Sequence, residues 1–375
     1  MPLPRVRPLL PALINLAIVG VMIARGIGQS RERYRTEGNR LGQANDVIRS
    51  FCQAAAQFLA TRQASDGSWD DGGAGASFAR AGQPGRVAPT MRVLLGVRAS
   101  GYAGEPFYRR GLGFVRRHQE RLRGWLHGDR GGDPGDLEPT VDALAMGSLL
   151  LGPEPDGGAE LRSILRAQQT PRGLYRHGLG PPGAAAGRRV LVGDNVLLLG
   201  VLPALGMDTT ELAAAIRSEL DEVPPAPPKT WIVLAYLGSL AAPTGGAEAH
   251  ALVARLLDRL EPSRLGPVAA LDDVALSAYL RVRADQCLRD ADACNDLNAA
   301  VAALLGRRQG DGSWRAPAVA AVDGGGIEPS STGSAVETTA LALDGLATYR
   351  RILDGRAKGM LGAYPADAAG AVLRR

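Results

Sequence analysis

The strongest constraint on this chain is an internal repeat. One apolar helical pattern returns six times, usually opened by an acidic or hydroxyl residue. It begins at Pro89-Thr90, Glu138-Pro139-Thr140, Asp194-Asn195, Thr230-Trp231, Asp272-Asp273 and Glu337-Thr338. The starts lie roughly 35–65 residues apart, room for one helix pair per unit. Each copy is rich in Ala, Leu and Val on nearly every side, the mark of a buried helix. An amphipathic helix precedes each, around 48–62, 107–122, 159–169, 210–220, 247–260 and 296–308. Amphipathic helices alternating with apolar ones are what a double-walled ring requires. The expected fold is therefore all-α: an (α/α)6 toroid of six helical hairpins, with the amphipathic members outside. Gly and Pro fall in the connections, and strand signals are nearly absent.

Composition agrees with a packed domain. The chain has 375 residues, 45% hydrophobic and 22% charged, outside the disordered regime. The net charge of +5 comes almost wholly from Arg; Lys occurs only at Lys229 and Lys358. No basic stretch is interleaved with aromatics, so no nucleic-acid partner is expected.

Four regions are expected. Residues 1–28 hold an uncharged run, 8–24, between Arg7 and Arg25. It reads as a single-pass membrane anchor, with a signal peptide or a helix packed on the domain as alternatives. Residues 29–44 read as a polar tether, 45–355 as the toroid and 356–375 as a tail. The Arg residues that follow the apolar run would keep the domain cytoplasmic by the positive-inside rule. The pair Cys287 and Cys294 argues for the other side: a disulfide across that short polar loop implies an oxidising compartment. The expectation is a membrane-anchored toroid on the extracytoplasmic, periplasmic side. Cys52 lies on an apolar helical face and reads as a buried small hydrophobe.

Several amphipathic helices end alike. Phe58-Leu59 is followed by Gln63, then Gly67-Ser68-Trp69. Leu304-Leu305 is followed by Gln309, then Gly312-Ser313-Trp314. A weaker copy carries Gln169, Gly173 and Tyr175, and a degraded one carries Gln119, Gly124 and Trp125. Gly after a helix supplies a left-handed cap, Gln satisfies orphan backbone groups, and Trp buries a large area over the turn. These residues read as structural braces.

The pattern resembles the QW motif of squalene-hopene cyclases and the repeats of prenyltransferase-type toroids. The resemblance covers nearly all of the chain after residue 45, and it implies a catalytic centre at the mouths of the inner helices. Class II cyclases of this family protonate an alkene with the middle Asp of Asp-x-Asp-Asp. The nearest match is Ala270-Leu271-Asp272-Asp273, in which Ala270 replaces the first Asp, leaving Asp272 and Asp273 as the catalytic candidates. Helix N-terminal charge stabilisation is the competing explanation. A cyclase of that type also implies two barrels and an aromatic-rich cavity, whereas this chain has room for one barrel and only 5% aromatics.

Prenyltransferases hold zinc with Asp, Cys and His. Asp292-Ala293-Cys294 has part of that spacing but no His follows, so no metal and no cofactor are expected. Glycan-active toroids use paired carboxylates or Arg, Tyr and His. The candidates near inner-helix mouths are Glu138, Asp142, Asp194, Glu337, Arg176 and His177, with helix capping as the competing role. The leading expectation is a binding or scaffolding toroid, with an apolar isoprenoid or lipid ligand or a protein as partner. An isoprenoid-modifying enzyme using Asp272 and a glycan-active enzyme are the alternatives.

Overall fold

The computed structural model describes residues 39–70, 86–126, 140–152, 158–179, 190–222, 228–260, 266–290, 294, 296–316 and 334–357. The expected membrane segment lies outside them. Among the described residues no helix is long and apolar enough to cross a membrane.

The fold is all-helical. Helix α1 covers 39–62. It is followed by α2 (Val87–Ala99), α3 (Pro106–Leu126), α4 (Val141–Leu151), α5 (Gly158–Gln168), α6 (Val192–Leu198) and α7 (Thr210–Glu222). The helical stretch Pro228–Asp258 is broken at Gly246, whose φ of 66° is not helical, into arms we label α8 and α9. Then come α10 (Asp273–Cys287), α11 (Leu297–Arg307) and α12 (Ala335–Ala357). Helix α1 begins inside the stretch expected as tether. Leu41 and Ala44 are buried there, and burial of apolar side chains makes the segment part of the domain.

The apolar helices form a closed inner circuit. Helix α2 packs on α4, α4 on α6, α6 on the α8–α9 stretch, that stretch on α10, α10 on α12, and α12 back on α2. Small residues allow the close approach: a Cβ on Gly200 would lie 2.8 Å from the Cα of Ala241, and one on Gly345 would lie 3.0 Å from the Ser277 carbonyl oxygen. The amphipathic helices pack outside it, α3 against α2 and α4, α7 against α6 and α8, and α11 against α10.

The braces lock this arrangement. The indole N–H of Trp69 donates to the Leu59 carbonyl at 2.8 Å, and that of Trp314 to the Leu304 carbonyl at 2.8 Å. Their backbone N–H groups donate to Thr90 Oγ1 and Thr339 Oγ1 on the adjoining inner helices. Tyr175 takes the same position in the weaker copy, where Asn195 replaces the threonine and both accepts from and donates to the Tyr175 backbone. The Gln63 amide donates to Gly67 O and Phe107 O, tying α1 to α3, while Gln309 Nε2 caps Arg307 O. Gln169 pairs by backbone with Tyr175. Gly67 and Gly312 both have φ of 94°, open only to glycine at low cost. The Gly312 turn seats on Ala54, and Arg308 stacks 4.5 Å from the Phe51 ring, so the last outer hairpin closes onto α1.

Cys287 and Cys294 are joined in a disulfide that clips the end of α10 to the approach to α11, and Cys52 is free and fully buried. Reducing the bond is expected to cost about 2 kcal/mol. Thermal melts with and without a reductant that leaves Cys52 buried will measure it, and superimposable curves would show the clip to be dispensable.

Candidate active site at the ring mouth

Inner helices start at one end of the ring, and their first turns carry acids: Asp142 in α4, Asp194 in α6, Asp273 in α10 and Glu337 in α12. The partial positive charge of a helix N-terminus favours an acid there, so the residue type alone does not separate structure from chemistry. Their neighbours do.

Asp272 caps α10. Its Oδ1 accepts the Ala275 N–H at 2.8 Å, and its Oδ2 meets Lys229 Nζ at 2.7 Å. Asp273 accepts from Arg307 and from the Arg315 backbone. Asp272 is thus engaged in capping its helix and in an ion pair, and Asp273 in holding Arg307 and the Arg315 backbone. Local sequence pointed to this pair because an Asp-Asp step at a helix start looks the same whether or not a lysine stands opposite.

Two helices away the structure assembles a different group. His177 Nδ1 lies 2.6 Å from Asp194 Oδ2. Arg92, from α2, reaches Glu337 Oε1 at 2.7 Å and Asp142 Oδ2 at 3.8 Å. Asp142, His177, Asp194 and Glu337 are all buried. Ligand-type atoms of Asp142, His177 and Asp194 lie within 4.8 Å of one another. The segment before α6 builds the frame. The Val141 N–H donates to the His177 carbonyl at 2.8 Å, Thr140 bridges to Gly178, and Arg176 bridges to Val190. Three short backbone links thus hold His177 against both acid-bearing helix starts. Arg176 serves the frame through its backbone; its side chain is half-buried. Glu138 lies outside the described residues.

Burial pushes the Asp194 carboxyl up to about 7, the neighbouring Asp142 carboxylate adds to the rise, and the His177 hydrogen bond opposes it. Its Oδ1 is buried and has no hydrogen-bond partner. A carboxyl raised in the folded state stays protonated while the unfolded chain has already ionised. Stability at this group is therefore full below its ordinary value near 4 and falls as pH rises toward 7. Asp194→Asn removes this contribution. The stability difference, wild type minus variant, is expected to fall by up to about 1.4 kcal/mol per pH unit across that window, read by urea unfolding at several pH values. A flat difference would place Asp194 among ordinary ionised acids.

A second layer lies two turns deeper. Arg281 of α10 donates from Nε to Asp344 Oδ1 of α12 at 3.0 Å, with Asp285 3.4 Å from Nη1. Asp344 is fully buried and Tyr236 of α8 nearly so. Burial, with the charge of Asp344, drives the Tyr236 hydroxyl far above its usual range, and Arg281 and then Arg92 act on it in the other direction. Arg92 and Tyr236 belong to α2 and α8, opposite members of the circuit. The offset from Glu337 to Asp344 along α12 is about 10 Å at the helical rise. Sequence reading missed Arg92, Tyr236, Arg281 and Asp344. The available signal was a charged residue inside an otherwise apolar inner helix.

The fold is an α/α toroid like that of type II terpene cyclases. A type II terpene cyclase from Scytonema, solved with geranylgeranyl dihydroxybenzoate as substrate, superposes with a TM-score of 0.57 at 15% identity, covering 83% of this chain and 99% of that one. The same enzyme with its product merosterolic acid A gives 0.54 at 14% identity, over 83% and 99%. A protein from Actinoplanes gives 0.53 at 17% identity, over 80% and 99%. No family model matches the chain, and no curated protein is similar to it in sequence. At these identities the likeness establishes the fold.

Proposed function

We propose that this chain is a proton-donating enzyme for an isoprenoid-type substrate, with Asp194 as the acid and His177 as the residue that orients it. The observation that carries the reading is the buried Asp194 carboxyl, raised to about 7, with one oxygen held by His177 and the other unpartnered. A general acid works best when its pKa lies near the working pH, and burial beside a second carboxylate is a recognised way to set it there. The Asp194 O–H would add its proton to an alkene carbon. The π pair forms the new C–H bond, the adjacent carbon becomes cationic, and a second alkene closes on it. Loss of a proton to water ends the sequence, so substrate and product are isomers. Asp142, beside the acid, offers negative charge to the developing cation.

The fold supports the substrate class, since the Scytonema relative binds a prenylated aromatic acid. The polar second layer of Tyr236, Arg281 and Asp344 fits a prenyl chain bearing a polar end better than a bare hydrocarbon. The disulfide supports an oxidising, extracytoplasmic location for the domain, and anchoring through residues 8–24 completes that reading.

The test is incubation with prenyl alcohols and prenylated phenols, followed by mass spectrometry for isomers of unchanged mass. Turnover is expected for the wild type and for Asp272→Asn, with a loss on the order of 1,000-fold or more for Asp194→Asn. Full activity in Asp194→Asn would defeat the assignment. Binding of these compounds without turnover by the wild type would return the chain to a pure binding role.

A further inference from the structure

The Tyr175 brace differs from the Trp69 and Trp314 braces at one position. In the first, Thr90 Oγ1 accepts the Trp69 N–H at 2.9 Å and turns its own proton to the Trp69 carbonyl at 3.3 Å. In the last, Thr339 Oγ1 accepts the Trp314 N–H at 3.2 Å and donates to Ala335 O, one turn back along α12. A hydroxyl has one proton, so each threonine donates to one carbonyl. The Asn195 amide has two protons and makes both links. Its Oδ1 accepts the Tyr175 N–H at 2.7 Å, and its Nδ2 donates to Tyr175 O at 3.0 Å and to Leu191 O at 2.8 Å. Leu191 is the residue that opens α6, and Asn195 is fully buried. The segment braced here carries His177, two residues beyond Tyr175, and Asn195 adjoins Asp194. One side chain thus ties the approach to His177 onto the first turn of the helix that bears Asp194. The other links of this segment run through the backbone. The Arg176 N–H donates to Gln168 O at 3.1 Å, the Val141 N–H donates to His177 O at 2.8 Å, and Arg176 bridges to Val190 before α6 begins. Asn195 carries the connection onto α6 itself.

We propose that Asn195 is a positioning residue of the ring mouth, whose two-proton amide sets the His177 imidazole on Asp194. It touches no reacting atom. It acts through the Tyr175 backbone, two residues ahead of the imidazole. The contact it serves is short, 2.6 Å between His177 Nδ1 and Asp194 Oδ2, and a hydrogen bond weakens steeply as its geometry degrades. A displacement of about 1 Å at a reacting group is enough to slow a reaction on the order of 100-fold. A threonine at this position would hold the turn, as it does in the other two braces, but would leave one of the two carbonyls unlinked. The inference rests on Asp194 and His177 being the working pair and adds the residue that fixes their geometry.

The experiment compares the full chain as wild type, Asn195→Thr and Trp314→Phe. The imidazole carbon and nitrogen signals of His177 are followed by NMR and assigned by their loss in His177→Gln. Turnover of the prenyl substrates is measured on the same samples. Asn195→Thr is expected to fold with a Tm near that of wild type, because its hydroxyl still accepts from the Tyr175 N–H. Its His177 signals should move, and kcat should fall on the order of 100-fold with KM little changed. Asn195→Ser, with the same single proton and less bulk, gives the same reading should the threonine methyl crowd the turn. Trp314→Phe weakens a different brace, so it should lower Tm and leave both the His177 signals and kcat in place. His177 signals in the Asn195 variants that superimpose on those of wild type overturn the proposal, and so do displaced signals with kcat unchanged. A wild type without turnover defeats the acid assignment instead, and the His177 signals then decide by themselves whether Asn195 holds the imidazole in place.

Discussion

Trp314→Ala is expected to destabilise the toroid by about 3–5 kcal/mol, a fall of roughly 10 °C in Tm for a domain of this size. The side chain is fully buried. Its removal opens a cavity that the helix ends around it cannot collapse into. It also leaves the Leu304 carbonyl, which accepts from the indole at 2.8 Å, without that donor. A buried acceptor left unsatisfied adds about 1–3 kcal/mol, so Trp314→Phe, which keeps most of the volume, should cost roughly that smaller amount. The effect is expected to be global, because this brace also meets Thr339 on α12, while the adjoining Gly312 turn rests on α1. Losing it loosens the joint where the ring closes. Chemical unfolding of the three proteins decides the matter. A Trp314→Ala chain within 1 kcal/mol of wild type would mean that the motif is decorative.

The second large effect concerns the ion pair inside the ring. Asp344→Ala should cost about 3–5 kcal/mol, the usual result of stranding a buried charge. Arg281 is only 7% exposed and has Asp344 as its closest acidic partner, at 3.0 Å. The double variant Arg281→Met with Asp344→Leu removes both charges and should recover most of the loss, since a well-packed apolar pair is often as stable as a buried ion pair. An exposed pair gives the contrast. Arg172 is 71% exposed in its contact with Glu219, so Glu219→Ala should change stability by no more than about 1 kcal/mol. If Asp344→Ala proves as mild as Glu219→Ala, water must already reach Arg281. The lumen would then be wetter than its burial indicates.

Both predictions show where sequence and structure divide the work. The double-walled helical architecture was legible because it rests on local rules. All-round apolar helices must be covered, amphipathic ones must cover them, and glycine must end a helix that turns in the left-handed region. The braces were legible for the same reason: Gln63, Trp69, Gln309 and Trp314 make contacts within their own turns or with adjoining hairpins. Cys287 and Cys294 lie seven residues apart and form the bond that their spacing suggested.

The site was legible only as a set of acids at helix starts, among which nothing local made a choice. Asp272 and Asp194 each open an inner helix, and their sequence surroundings are alike. Tertiary structure placed Lys229 against Asp272 in an ion pair, and buried Asp194 beside Asp142, which raises its carboxyl, with the His177 hydrogen bond opposing that rise. Those partners are 43 residues distant in the first case and 17 in the second for His177. A pKa depends on charges and solvent within a few ångströms, whatever their distance along the chain. The sequence by itself thus determined the kind of ring this protein builds. Only the closed ring decided which of its acids are shielded from water, because burial and the neighbouring charges that come with it are set by helices far apart in the chain.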